Sequence, residues 1–185
     1  MQHHFKHICY NIDSLLEGCS KMTTFMSRLR KQAEDYPDHF DPDKYYGDGF
    51  EAFVESLINQ QGLTKKIMIR DYSPIAEDDL GVDGYGYGPE GEIHTVQAKA
   101  RGNTESVLTA NRDHISNFVA HSHSKFGGES KVKYMTIFTT AKDLHHVTQE
   151  MYNQEVRVIG FKELKKLVDG NEMFWTNFRT ALKFS

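Results

Sequence analysis

The segment "GVDGYGYGPEGEIHTVQAKARG", Gly81 to Gly102, constrains the fold more than any other stretch of the chain. Pro89, Glu90 and Gly91 suit a three-residue hairpin loop, because proline pre-sets the first turn position and glycine takes the left-handed conformation that completes the bulge. Gly88 then faces Glu92. Matching each step outward places Asp83 opposite Gln97 on the same face of the sheet, with roughly 4.5–5.5 Å between Cβ atoms. The second strand alternates: Thr95, Gln97, Lys99 and Arg101 point one way, while Val96, Ala98 and Ala100 point the other and read as core.

The rest of the chain supplies helices and further strands. Leu15, Leu16, Cys19, Met22, Phe25, Met26 and Leu29 recur at helical spacing, so residues 13–34 read as one or two amphipathic helices. "EDYPDHFDPDKYYGDG", residues 34–49, is acidic, carries two prolines and reads as a boundary. A helix is expected over 49–61, with Asp48 as its N-cap, Gly62 at its end and Phe50, Phe53, Val54, Leu57 and Ile58 on one stripe. "KKIMIRDY" reads as a strand before the hairpin. Residues 104–121 read as a helix burying Val107, Leu108, Ile115, Phe118 and Val119. "VKYMTIFTT" is a strand, "DLHHVTQEMYNQ" a short helix, "VRVIGF" a strand and "KELKKLVDG" a helix, and the tail packs back through Phe174, Trp175 and Phe178. This order predicts an α/β fold, a central sheet with helices on both faces.

Composition narrows the class. With 38% hydrophobic and 12% aromatic residues, 185 residues bury one sizeable core. No apolar run approaches the roughly 18 residues that span a bilayer, and "MQHHFKHICYNIDS" lacks a secretory apolar stretch, so the expectation is a cytoplasmic protein without a membrane partner. Cys9 and Cys19 read as reduced thiols. A net charge of −4 excludes global attraction to nucleic acid, leaving any phosphate contact to a local basic surface.

On the polar face of the hairpin an aspartate, an amide oxygen and an ammonium come together, a layout for a divalent cation beside a phosphate. Mg²⁺ takes one or two carboxylates plus water and phosphate oxygens, so Asp83, the Gln97 carbonyl and Glu51 from the preceding helix suffice. Lys99 has no acceptor, and its role there is to orient water or offset charge on the phosphate. Each residue also has a plain structural reading. Glu51 three residues after Asp48 makes a capping box, Asp83 suits a turn, and Gln97 and Lys99 suit a solvated edge strand. Other patterns are weaker. "GYGYG" is followed by a strand where a phosphate loop needs a helix, and His3, His4, His7 and Cys9 lack zinc-site spacing. "HSH" at 121–123 reads as a solvated helix end, and His145 and His146 lack the residues that accompany paired catalytic histidines.

"GFEAFVESLINQQG", "GVDGYG" and "VQAKAR", in that order and spacing, resemble the Mrr-like restriction endonuclease branch of the PD-(D/E)xK nuclease superfamily. "YMTIFTTAKDL" and "VRVIGFKELKKL" extend the resemblance to about residue 180, and "MFWTNF" is similar to a segment of the N-terminal nuclease domains of helicase-containing restriction proteins. The resemblance implies a restriction-endonuclease-like mixed sheet flanked by helices over 41–185, with residues 1–40 as an N-terminal helical extension. It also implies a metal-dependent DNA endonuclease using Mg²⁺, with Mn²⁺ as substitute, held by Glu51, Asp83 and Gln97, with Lys99 as catalytic lysine. Gln97 stands where the wider superfamily has an acid, which removes one negative charge and leaves the metal shell to be completed by DNA phosphate.

Arg101, Arg112, Lys125, Lys131 and Lys133, concentrated in an otherwise acidic chain, are the candidate phosphate contacts. Cutting two strands with one site calls for a second copy, a second encounter or a helicase-type partner, and the Met22–Leu29 stripe reads either as that interface or as core. Two alternatives stay open: a DNA-binding or assembly module that keeps the fold without chemistry, and a nuclease for RNA or branched DNA.

Overall fold

The hairpin forms in the register its turn dictates. In the computed structural model, which describes residues 11–35, 41–60, 67–75, 81–128, 131–152 and 155–184, Gly91 takes φ +83° and the Gly88 N–H donates to the Glu92 carbonyl at 2.8 Å. Strands β2 (Gly84–Tyr87) and β3 (Ile93–Lys99) then pair antiparallel from Tyr87↔Ile93 to Gly84↔Val96. One step further the Asp83 N–H donates to the Val96 carbonyl at 2.9 Å, which sets Asp83 beside Gln97 as expected.

β1 (Arg70–Pro74) flanks β2 on the outside, while β5 (Val132–Thr139) and β7 (Val156–Ile159) extend the sheet on the other side in parallel, giving the order β1-β2-β3-β5-β7. β3 is therefore central, not the solvated edge that its polar residues allowed. Val96, Phe138 and Ile159 share a core with α1 (Ile12–Leu16), α2 (Met22–Asp35), α3 (Pro42–Asn59), α6 (Phe161–Val168) and α7 (Glu172–Lys183). The opposite face packs Val82, Met135 and Ile137 with Ile115 and Phe118 of α4 (Ile115–Lys125). Thr95, on the strand face expected to be open, is buried and bonds Ser122 of α4 through its hydroxyl at 2.8 Å.

Several expected elements differ. The strand expected at "KKIMIRDY" begins only at Arg70, with residues 67–69 ahead of it, and Asp143–Leu144, expected to open a helix, form a short strand. The helix carrying Glu51 starts at Pro42, capped by Asp41, whose side chain accepts from the Asp43 N–H at 2.9 Å. Asp48 and Glu51 thus lie in mid-helix and form no capping box. Gly49, inside this helix, lets α2 approach: a Cβ there would meet Leu29 Cδ1 at 2.5 Å. Residues 104–121 are not one helix. Asn103 turns the chain, its side chain accepting from the Glu105 N–H at 3.0 Å and its carbonyl from the Ser106 hydroxyl at 2.6 Å, a local bonding that competes with helix. Val107–Leu108 then form β4, parallel to β6 (Asp143–Leu144), and α4 follows. α5 (His146–Tyr152) precedes β7.

The Met22, Phe25 and Leu29 stripe is core: Phe25 stacks on Phe53 with centroids 5.6 Å apart, and Phe178 meets the Phe25 edge at 5.5 Å. Phe174 and Trp175 pack back as expected, with Trp175 Nε1 donating to the Val168 carbonyl at 2.8 Å. Each such side chain contributes about 1.5–3 kcal/mol by burial, so together they rival the ~5–15 kcal/mol that separates folded from unfolded domains. A chain starting at Asp41 is accordingly expected to lose its cooperative thermal transition by circular dichroism. A folded monomer of unchanged melting temperature would contradict this packing. Cys19 is a buried free thiol, and Cys9 lies outside the described residues.

Candidate active site

The site forms where β2 leaves β3. Past Gly84 the regular ladder ends, and the Ala98 N–H donates at 2.6 Å to Asp83 Oδ2 instead of to a backbone carbonyl. The Gln97 amide is also anchored, its Nε2 donating to the Gly81 carbonyl at 2.9 Å. That bond settles which end of the amide is oxygen. Oε1 is left buried with no hydrogen-bond partner among the described residues, and the side chain as a whole is 1% exposed. An orphaned buried acceptor is costly unless something else binds it.

The double threonine at the end of β5 holds the strand that carries Lys99. The Thr139 hydroxyl donates to the Lys99 carbonyl at 2.7 Å, and the Thr140 hydroxyl accepts from the Arg101 N–H at 2.6 Å and donates to the Arg101 carbonyl at 2.8 Å. Side chains thus prolong the β3–β5 pairing beyond its backbone ladder.

Glu51 reaches this end of the sheet from the middle of α3. Burial pushes its carboxyl up to about 9, reinforced by the charges of Asp83 and Asp48 and opposed by Lys44 and Lys99. Burial lowers the Lys99 ammonium, with Asp83 acting the other way and Arg101 in the same direction. Tyr72 belongs to the same neighbourhood: burial raises its hydroxyl well above its usual value, and Asp83, Glu55 and Glu51 add to the effect. Among the described residues no three His, Cys, Asp or Glu side chains group closely enough to hold a metal ion. A buried Glu51 carboxyl raised in part by the Asp83 charge, and an orphaned amide oxygen, nevertheless fit a hard cation whose shell is completed by water and phosphate.

The expected basic strip divides in two. Arg101 is tied to buried Asp113, its Nε at 3.1 Å from Oδ1, while Asp113 Oδ2 accepts from the Thr109 N–H at 2.6 Å. Burial alone would raise Asp113, but the Thr109 N–H and Arg101 outweigh it and hold the carboxyl below its usual range. Asp113 carried no sequence signal, since it sits in an irregular turn. Arg112 is exposed beside it. Lys131 and Lys133 stand at the opposite end of β5, where Lys133 lies 3.8 Å from Glu90 of the hairpin turn. Lys125 ends α4. From Ile93 to Lys99 the strand runs about 20 Å, which separates Lys131 and Lys133 from Lys99.

Among the described residues the histidines join no metal-binding group. His145 and His146 lie with ring centroids 4.2 Å apart and tilted by 39°, His123 lies 3.5 Å from Glu155, and His94 is buried with Nε2 2.6 Å from Thr136 Oγ1. His3, His4 and His7 fall outside the described residues. "GYGYG" is β2.

No family model matches this sequence, and no curated protein matches it either. Solved structures do. The DNA modification-dependent restriction endonuclease AspBHI superposes with a TM-score of 0.51 at 14% identity, over 96% of this chain and 42% of that one. The fold is restriction-endonuclease-like. MspJI restriction endonuclease in complex with a 27-mer oligonucleotide matches with a TM-score of 0.46 at 15% identity, over 96% of this chain and 39% of that one. The chain spans less than half the length of either protein. In this restriction-endonuclease-like sheet Asp83, Gln97 and Lys99 come together at the end of the β2–β3 hairpin, with Glu51 reaching them from α3. The Mrr-like resemblance of the motifs has no counterpart among family models.

Proposed function

We propose that this chain is a metal-dependent DNA endonuclease hydrolysing phosphodiester bonds at Glu51, Asp83, Gln97 and Lys99. The observation that carries the reading is the orphaned Oε1 of Gln97 beside Asp83, on a central strand of a restriction-endonuclease-like fold. Glu51, Asp83 and the Gln97 Oε1 would hold Mg²⁺ or Mn²⁺. Such a cation, when bound, acidifies water and draws charge from the scissile phosphate. Asp83 is fixed by the Ala98 N–H and Gln97 by Gly81, so both present their oxygens without rearrangement. Lys99, two residues along the same strand face, would orient the attacking water or offset charge on the phosphate. Arg112 is the best placed phosphate contact near this end. Lys125, Lys131 and Lys133 would meet DNA only well away from the cleaved bond. Double-strand cutting would draw on a second copy, a second encounter or a helicase-type partner.

Supercoiled plasmid incubated with Mg²⁺ or Mn²⁺ is expected to be nicked or linearised, and EDTA to stop the reaction. Single-stranded, branched and RNA substrates in the same assay separate the substrate classes. Folded protein that binds DNA yet cleaves nothing with either cation would support the non-catalytic module instead.

A further inference from the structure

Asp113 is a buried carboxylate that faces two arginines. Its own turn fixes it twice: the Asp113 N–H donates to the Thr109 carbonyl at 3.1 Å, and its Oδ2 accepts from the Thr109 N–H at 2.6 Å. The turn is anchored in its own right. The Ala110 N–H donates to the Thr148 hydroxyl at 3.2 Å, and the His145 N–H to the Leu108 carbonyl at 2.7 Å. Oδ1 is thereby left to Arg101, which reaches it through both Nε and Nη2, while Arg112 Nε lies 3.6 Å from Oδ2.

A buried carboxylate needs a paired cation, and one guanidinium is enough to neutralise it. The second leaves a surplus positive charge. It stands at the end of the sheet that carries the site, because Arg101 follows Lys99 by two residues, at most about 7 Å along the chain. The Thr140 hydroxyl holds the Arg101 backbone there through both its N–H and its carbonyl. Both cations still meet solvent, with side chains 35% exposed at Arg101 and 71% at Arg112. The bonds to Asp113 and to the Ala100 carbonyl engage Nε, Nη1 and Nη2 of Arg101 and use three of its five N–H hydrogens. A guanidinium fixed in this way loses little freedom on meeting a phosphate.

We propose that Asp113 is a positioning residue: it holds Arg101 and Arg112 as a two-guanidinium clamp for a DNA phosphate next to the one that Lys99 faces. The proposal rests on the nuclease reading above for the identity of its ligand, but the clamp binds and does not react.

Fluorescence anisotropy of a labelled DNA duplex in EDTA, at several salt concentrations, tests the clamp without cleavage. Arg101→Gln and Arg112→Gln are each expected to lower the log–log salt slope by about 0.9. In Asp113→Asn the amide oxygen can still accept the Thr109 N–H, while the amide nitrogen that replaces Oδ1 cannot accept from Arg101. Loss of a negative charge would by itself strengthen binding to DNA. Loss of the clamp is expected to weaken it about tenfold, and by less than the sum of the single effects when Asp113→Asn is combined with Arg101→Gln. Equal or tighter binding by Asp113→Asn, measured where it is folded, or an unchanged slope in either arginine variant, overturns the proposal. Where Asp113→Asn does not fold, the two slopes decide alone. A wild type that binds duplex but cleaves nothing with Mn²⁺ removes the endonuclease reading and leaves the clamp to these binding data. A wild type that binds no duplex removes both.

Discussion

Asp83→Asn and Lys99→Ala are each expected to abolish DNA cleavage, by a factor on the order of 10²–10³ or more, with little change in thermal stability. The geometry separates the two effects. The amide oxygen of the substituted asparagine can still accept the Ala98 N–H that Asp83 Oδ2 receives at 2.6 Å, so the departure of β2 from β3 survives while the charge disappears. The Lys99 backbone carbonyl would keep its 2.7 Å bond from Thr139 after truncation of the side chain. Plasmid cleavage under saturating Mn²⁺, run beside a melting curve, is the measurement. Undiminished cleavage by either variant would remove that residue from the site.

Glu51→Gln should act in opposite directions on stability and activity. The native carboxyl is pushed up to about 9 from 4.5, first by burial and then by Asp83. Between those values the native state retains a proton that the unfolded chain releases, so stability falls as pH rises through that window. Glutamine imitates the protonated form without this cost. In metal-free buffer near pH 8 it is expected to stabilise the protein by about 2 kcal/mol, discounted for partial solvent contact, and by nothing below pH 4. Cleavage should be lost, and with it the rise in melting temperature that Mn²⁺ confers on the wild type. Destabilisation at pH 8 would mean instead that Glu51 is ionised and serves a structural ion pair. Because Glu51 lies in mid-helix, loss of a cap does not confuse the result.

The placement of the candidate site residues on the hairpin was legible because it is local. Pro89 and Gly91 set a loop length, the loop sets the register, and a two-residue period then places Asp83 beside Gln97 and Lys99 on the same face. β5, β7 and the aromatic stripe of α7 were equally readable, since each announces itself by a period within one element.

Where the reading failed, a distant partner outweighed the local signal. Asp48 looked like a helix N-cap, yet α3 already starts at Pro42 under the Asp41 cap, and Gly49 inside it leaves room for Leu29 of α2. Leu108 looked helical, yet Asn103 turns the chain ahead of it and β6 offers it a strand to pair with. The basic residues looked like one strip along the sequence, whereas parallel pairing of β3 with β5 carries Lys133 to the opposite end from Lys99.

Turn chemistry and side-chain alternation act over a few residues, so the amino-acid order alone was enough to set the hairpin register, the three side chains aligned on it and the apolar periods of the helices. Tertiary packing was needed to make β3 central, to bury Gln97 Oε1 without a partner, to hold Arg101 against Asp113 and to lay Tyr72 over Gly84. Burial, strand order and close approach depend on elements far apart in the chain, and no local period encodes them.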